Sequence, residues 1–194
     1  MVDWIQTYTG KRFQFSNIKP DDICIEDIAH ALALTNRFCG HSEFPYSVAQ
    51  HSLHVSYRVP EEIALEGLLH DAHEAYCHDL TAPLKQYMLQ LSFESNNTKL
   101  IYNHVQAKVE SAIDQCFRLW PVRNLKEEKA LWKELHDADM RALATEYRDL
   151  FPNKPHDWEL KVEPYPDDEC LPFDWTFVEL RFLDRFNELW EKRK

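Results

Sequence analysis

Apolar residues recur every three or four positions along most of this 194-residue chain, which is the period of an α-helix with one buried face. Ser47 is followed three residues later by Gln50, and Asn124 by Glu127, a spacing typical of helix N-termini. The pattern predicts helices over residues 20–40, 47–58, 60–76, 84–91, 101–120 and 124–151, and a last helix that starts at Asp174.

Two segments lack helical spacing. Residues 1–20 carry aromatic and turn-forming residues, which predicts an irregular or short hairpin-like lead-in. Residues 152–173 hold five of the ten prolines and several acidic residues, which predicts a long loop before the last helix rather than a second domain. We therefore expect a single all-α domain over residues 1–194.

The composition supports a helical globular protein. Only three glycines occur, which argues against a β-sandwich and against a Gly-rich nucleotide-binding turn. With 44% hydrophobic and 28% charged residues, the chain is typical of globular rather than disordered proteins. No apolar run approaches the roughly 20 residues that cross a bilayer, and the start at Asp3 and Trp4 is not that of a signal peptide.

The net charge limits the classes of binding partner that we expect, and the cysteine content indicates the redox compartment. The formal net charge of −11 argues against a surface that binds duplex nucleic acid or an anionic membrane. A small anionic substrate stays compatible, because a metal and a few local cations set the field inside a pocket. The five cysteines are odd in number and include no C-x-x-C pair, which favours a reduced, cytoplasmic protein.

Ionisable residues stand at helix positions where a buried face needs apolar ones. His51 lies four residues before Val55, and Asp139 lies four residues from both Leu135 and Leu143, so each shares a face with apolar neighbours. A lone His on such a face is usually a hydrogen-bonded core residue. An inward carboxylate, by contrast, is costly unless it is paired or bound to a metal.

The densest group of ionisable residues closes the predicted helix 60–76. His70 and Asp71 lie four and three residues before Glu74, so the three side chains converge on one site, and Asp79 follows in the next turn. The His-Asp dipeptide alone is weak evidence, because the chain repeats it at 78–79, 136–137 and 156–157. The ordered set carries more weight: His51, then His70-Asp71 with its Glu, then the late Asp139.

Two imidazoles and two carboxylates together form a mixed nitrogen and oxygen shell for one divalent metal. Such a shell suits Mn²⁺, Co²⁺, Fe²⁺ or Zn²⁺, with Mg²⁺ as a further option, and it leaves positions open for water and substrate. The sequence contains no H-E-x-x-H motif, which argues against a zincin-type protease.

Several runs of the chain resemble the HD-domain metal-dependent phosphohydrolases. The resemblance lies in SVAQHS at 47–52, LHDAHE at 69–74, DLTAPLK at 79–85 and the pair Ala138-Asp139. The runs WIQTYTGKR at 4–12 and NRFCGH at 36–41 place it close to bacterial 5′-deoxynucleotidases and phage-type dATP triphosphohydrolases. It covers roughly residues 4–85 and then rests chiefly on Asp139, and it implies the compact HD-domain helical fold.

The resemblance also implies a role for each site residue. The metal ligands would be His51, His70, Asp71 and Asp139. Glu74 would orient or deprotonate the attacking water, and Asp79 would assist proton transfer. Arg37 would bind the phosphate or sugar of the substrate, and Phe38 would lie beside its nucleoside. Lys85 would be a second cation that contacts the phosphate. The deoxynucleotidases of that family carry Trp where this chain has Phe38, so the selection of sugar and base stays open.

The expected function is a phosphohydrolase that cleaves (deoxy)nucleotides, with a deoxyadenosine nucleotide such as dATP as the predicted substrate. The resembling enzymes are homo-oligomers, which predicts self-association. Two other enzymes fit the same shell, a 5′-deoxynucleotidase acting on dNMPs and a phosphodiesterase on a signalling nucleotide. A non-catalytic, metal-stabilised nucleotide-binding module is the alternative from a different class, and the intact Glu74 and Asp79 argue against it.

Overall fold

The computed structural model describes residues 2–94, 101–120 and 125–193, and this part of the chain is mainly helical, as predicted. The N-terminal lead-in forms an antiparallel hairpin of β1 (Trp4–Gln6) and β2 (Arg12–Gln14). The helices that follow are α1 (Ile25–Leu34), α2 (Val48–Arg58), α3 (Ala64–Leu69), α4 (Glu74–Cys77), α5 (Ala82–Glu94), α6 (Ile101–Phe117), α7 (Leu125–Leu150) and α8 (Trp175–Lys192).

Helix α2 lies at the centre of the bundle, where it contacts α1, α3, α7 and α8. Its N-terminus is closed by the predicted capping box, in which the Ser47 hydroxyl accepts from the Gln50 amide and the Gln50 side chain accepts from the Ser47 amide, each over 3.2 Å. These bonds satisfy two backbone donors that a helix start leaves free. A central, well-capped helix gives His51 a fixed position.

The main core lies between α1, α2, α3 and α8. Ile28, Leu32, Leu65, Leu68 and Phe182 have little or no exposed area there. Each such side chain stabilises the fold by about 1.5–3 kcal/mol relative to an exposed one. The core therefore fixes the helices that carry the predicted site.

Some helix boundaries differ from the sequence prediction. The first predicted helix ends at Leu34 rather than near Gly40, because the chain turns extended at Thr35 and Asn36 pairs with Ser47 in a β-bridge. Helix α5 continues to Glu94, three residues beyond the prediction. The predicted start at Asn124 lies outside the described residues.

The segment 152–173 contains neither helix nor strand, in agreement with the predicted loop. It is fixed along α7 by hydrogen bonds between α7 side chains and loop backbone. The Arg148 guanidinium donates to the Tyr165 carbonyl over 2.9 Å, and the Cys170 amide donates to the Asp149 carboxylate over 2.9 Å. Such bonds satisfy backbone groups that a loop cannot pair internally. At its end, Asp174 caps α8 by accepting from the Thr176 amide over 2.9 Å.

A search of the described helices finds none that is long and apolar enough to cross a membrane.

Candidate metal centre

Three helical segments bring the four predicted metal ligands together. The Nε2 atom of His51 lies 3.2 Å from Nε2 of His70, 3.1 Å from Oδ1 of Asp139 and 3.7 Å from Oδ2 of Asp71. Nε2 of His70 lies 3.1 Å from Oδ2 of Asp71 and 4.0 Å from Oδ1 of Asp139. Residues that are up to 88 positions apart in sequence therefore present nitrogen and oxygen atoms to one point.

These separations suit a metal ion. Bonds of about 2.0–2.2 Å from one ion to nitrogen and oxygen ligands place neighbouring ligand atoms about 3–3.5 Å apart. The donor atoms of His51, His70 and Asp71 all lie within 4.8 Å of one another, and this group could hold a metal ion. That group does not include Asp139, whose Oδ1 on α7 approaches the two histidine rings, at 3.1 Å from Nε2 of His51 and 4.0 Å from Nε2 of His70. The mixed donors do not identify the metal.

The backbone around His70 departs from the predicted continuous helix 60–76. Helix α3 ends at Leu69, and α4 begins only at Glu74. Between them the amides of Ala72 and Glu74 donate to carbonyls three residues earlier, over 3.0 and 2.9 Å. Three residues per turn is a tighter coil than an α-helix, and it aligns side chains three apart. Asp71 and Glu74 therefore share a side, whereas the predicted i, i+4 alignment of His70 with Glu74 assumed an unbroken α-helix.

The ring of His70 is fixed from behind by its own helix. Its Nδ1 lies 2.9 Å from the carbonyl oxygen of Gly67, and since a carbonyl only accepts, Nδ1 carries the proton. Nε2 is then the ring nitrogen that faces the other ligands, and it would bind a metal on losing its proton.

Glu146 is a site residue that the sequence interpretation missed. It is fully buried on α7, where one oxygen lies 2.7 Å from Nδ1 of His51 and the other accepts from Nε of Arg37 over 3.0 Å. Because a carboxylate accepts, Nδ1 of His51 donates and its Nε2 faces Asp139. The available signal was spacing: Glu146 follows Asp139 by seven residues, which is two helical turns along the same face.

Arg37 reaches the centre, but its guanidinium is already paired. Besides Glu146, it has Oδ2 of Asp71 at 3.7 Å from its Nη1. Burial opposes the charge, yet Glu146 and Asp71 hold the pKa of Arg37 above its usual value. Arg37 thus stays cationic beside the ligands, and its predicted contact with a phosphate or sugar would share the group with two carboxylates.

Phe38 lies beside Arg37 in a strained turn. Phe38 and Cys39 have φ of 57° and 52°, left-handed values that side chains other than Gly rarely adopt. The half-buried Phe38 ring packs edge-on to Phe151 at 5.2 Å and lies 5.8 Å from the Trp158 ring in the proline-rich loop. The ring is therefore part of an aromatic cluster, and its predicted place beside a nucleoside stays a prediction.

Glu74 has the features of a reactive carboxyl group. It is 5% exposed, and its Oε2 has no hydrogen-bond partner among the described residues. Burial, together with the charges of Asp71 and Asp79, raises the pKa of Glu74 to about 9, while Lys85 acts in the opposite direction. Asp79 and Lys85 therefore lie close enough to influence Glu74. An unpaired buried oxygen calls for a further partner, such as a water or a cation.

The charges around the ligands favour a bound cation. Burial alone would lower the pKa of His70, but the charge of Asp71, its hydrogen bond and the charge of Asp139 raise it to about 9. The opposite effect holds for Asp139: burial raises its pKa, but His51 and His70 bring it below the usual value. The group thus stabilises positive charge among its own atoms, and the residues fit a divalent metal.

Two other histidines have structural surroundings. His54 lies 2.6 Å from Oδ2 of Asp168, which links α2 to the proline-rich loop. His78 is exposed at the end of α4 with a φ of 66°. Among the described residues, neither makes a hydrogen bond to a candidate metal ligand.

Comparison with known proteins gives relatives without a stated activity. The uncharacterized protein YfdR of Escherichia coli is 36% identical over 196 residues, covering 100% of this chain and 99% of that protein. An uncharacterized protein of Rhodobacter capsulatus is 38% identical over 91 residues, which is 42% of this chain and 46% of that protein. No protein-family profile matches the chain.

Proposed function

The chain belongs to the same protein family as YfdR of Escherichia coli, and we propose that it is a metal-dependent phosphohydrolase of the HD-domain type. Its substrate would be a deoxynucleotide, with dATP as the leading candidate. One observation carries the proposal: donor atoms of His51, His70, Asp71 and Asp139 converge, with the buried, unpaired Glu74 beside them.

The excess of acidic groups supports a metal at this point. Five carboxylates lie at the centre or next to it, those of Asp71, Asp139, Glu146, Glu74 and Asp79. The positive charges that lower the pKa of Glu74 are those of Arg37 and Lys85. Burying unbalanced carboxylates is unfavourable. A divalent cation offsets that charge, and it adds the attraction that a phosphate needs to enter an acidic site.

The residues divide into holding, activating and charge-balancing groups. When bound, the metal supplies polarisation of a phosphoryl oxygen and lowers the pKa of a coordinated water. Glu74 would accept a proton from the attacking water and set its direction. A bound metal would lower its raised pKa and so favour the ionised form that this step needs. Asp79 passes the proton toward the leaving group. Arg37 and Lys85 offset charge on the phosphoryl oxygens.

A purely structural metal site explains less of what is seen. Such a site needs its ligands closed around the ion, and it has no use for a buried carboxyl group with an unpaired oxygen. Glu74 is such a group. This favours an enzyme over a non-catalytic nucleotide-binding module.

Product identification tests the proposed activity and distinguishes it from the alternative activities. The protein is incubated with each dNMP and dNTP, and separately with a cyclic dinucleotide, in the presence of Mn²⁺ or Co²⁺, and products are resolved by anion-exchange chromatography. We expect dATP to yield deoxyadenosine and triphosphate, with no product after chelation. Inorganic phosphate from dNMPs would instead indicate a 5′-deoxynucleotidase. Cleavage of a cyclic dinucleotide alone would indicate a phosphodiesterase, and no product from any nucleotide would contradict the proposal. Self-association, which the resemblance predicts, is measured on the same sample by light scattering.

A further inference from the structure

A cavity of about 310 Å³ lies beside the candidate metal centre, between α3, α6 and α7. Its lining includes His70 and Asp139, so an occupant would lie directly against the metal ligands. The volume is at the lower end of the range for small-molecule sites. It suits one ring system attached to a substrate whose phosphate is held at the metal.

Part of the wall of this cavity is apolar and aromatic. The Trp120 and Trp132 rings stack on each other at 4.3 Å and 11°, and about half of the Trp132 side chain is exposed. Flat aromatic surfaces favour another planar ring, which stacks on them with little dependence on its substituents. The remaining apolar lining consists of Leu69, Ile113, Leu119 and Leu135.

One buried polar side chain in the cavity, that of His73, has no hydrogen-bond partner among the described residues. His73 is only 3% exposed, and neither of its ring nitrogens makes a hydrogen bond within the described residues. The nearest carboxylate oxygen, Oε1 of Glu110, is 3.6 Å from Nδ1, too far for a hydrogen bond. Buried polar atoms are almost always paired. A neutral imidazole both donates and accepts, which matches the edge of a heterocycle.

The charged lining selects against phosphate. Carboxylates of Glu66, Glu110, Asp114 and Asp139 line the cavity, and no Lys or Arg does so among the described residues. Glu66 is already occupied by Arg193 and by the Trp120 amide. Glu110 and Asp114 lie one turn apart on α6, and Glu110 accepts one hydrogen bond from Gln106 over 2.8 Å. Ionised carboxylates with remaining capacity accept hydrogen bonds from N–H donors.

We propose that this cavity binds the nucleobase of the substrate and prefers a base with an exocyclic amino group. The amino group would donate to Asp114 or Glu110, a ring nitrogen would pair with His73, and the base plane would lie against the tryptophans. This inference rests on the phosphohydrolase function proposed above. It places the base away from Phe38, which is absent from the described cavity lining.

Binding of unphosphorylated nucleosides tests this site without any chemistry. Deoxyadenosine and deoxyinosine differ at one edge of the base, where the amino donor becomes an oxygen acceptor and the adjacent ring nitrogen changes from an acceptor to an N–H donor. Calorimetric titration of the full-length, Mn²⁺-loaded protein should show deoxyadenosine binding about tenfold or more tightly, because the oxygen removes a hydrogen bond to an ionised acceptor.

Matched variants locate the preference. Asp114→Asn should reduce it toward equality, because an amide both donates and accepts, and Glu110→Gln is a second variant with the same expected direction. Asp184→Asn is the control, since Asp184 is an exposed α8 residue paired with Arg181, and it should leave the preference unchanged. Trp132→Ala should weaken the binding of both nucleosides to the same extent, by about fivefold or more. Circular dichroism establishes that each variant is folded.

The outcomes that overturn the proposal are distinct from those that overturn the function. Equal affinities for the two nucleosides, no binding of either, or a preference that survives in both the Asp114 and Glu110 variants would contradict it. Binding of a second Mn²⁺ that Glu110→Gln abolishes, without nucleoside binding, would assign the cavity to a cation instead. If the protein released phosphate or triphosphate from nucleotides but bound the two nucleosides equally, the phosphohydrolase function would be supported and the base site would be contradicted. Nucleoside discrimination without any hydrolysis would do the reverse.

Discussion

Replacement of Glu146 by Gln probes the candidate metal centre from its buried side. Glu146 is fully buried, and its oxygens contact Nδ1 of His51 at 2.7 Å and Nε of Arg37 at 3.0 Å. A hydrogen bond to a charged group contributes about 1.5–3 kcal/mol, and removing one partner from a buried ion pair costs about 3–5 kcal/mol. We expect Glu146→Gln to lower the free energy of unfolding of the metal-free protein by about 3–5 kcal/mol.

The Glu146→Gln substitution should also weaken metal binding. The carboxylate accepts the Nδ1 proton of His51 and so leaves Nε2 free to face Asp139 and His70. An amide in its place can donate to Nδ1, which favours the tautomer with its proton on Nε2, where the metal would bind. Loss of such a supporting contact typically weakens metal binding about 10- to 100-fold.

Urea unfolding in the presence of chelator measures the first effect, and calorimetric Mn²⁺ titration of the folded variant measures the second. Glu188→Gln is the matched control, because Glu188 pairs with Arg185 and Lys192 on the surface of α8, where ion pairs contribute little. The control should change neither quantity. If Glu146→Gln resembled Glu188→Gln in both measurements, the assigned role of Glu146 would be wrong.

Four further results are expected. His70→Ala and Asp71→Ala should each lose bound metal by elemental analysis, and full occupancy in both would refute the ligand set. Glu74→Ala should keep its metal and lower turnover about 100-fold or more, so near wild-type rates would remove Glu74 from the mechanism. Because the pKa of His70 is raised to about 9 in the metal-free protein, protons compete with the metal below that pH. Mn²⁺ affinity should therefore rise about tenfold per pH unit from pH 7 and level off above about pH 9, whereas a pH-independent affinity would contradict this competition. In competition at equal concentrations dATP should be preferred to dAMP and to the other dNTPs. A preference for dAMP, or equal use of dNTPs with different bases, would contradict the substrate assignment alone.

The sequence by itself determined the helical fold class and some of the helix starts. The confirmed examples depend on neighbours in the chain: the Ser47 capping box needs only Gln50 three residues later, and the Asp174 cap needs only Thr176. Local hydrogen bonding and apolar spacing are properties of short segments, and they can be deduced without knowing what packs where.

The four candidate ligands were also visible in the sequence, for a different reason. An ionisable residue on an apolar helix face, such as Asp139, has an energetic cost that some partner must offset. That argument marks the residue, but it does not name the partner. The structure supplies the partner by bringing Oδ1 of Asp139 to 3.1 Å from Nε2 of His51.

Tertiary structure alone decided which groups support and surround the ligands. Glu146 and His51 are 95 residues apart, and no local sequence period indicates that α7 packs against α2. The break of the helix at His70 and the acid-lined cavity beside it likewise depend on how α3, α6 and α7 pack. Pairing between distant segments is set by the packing of the whole core, which is the information that local sequence patterns lack.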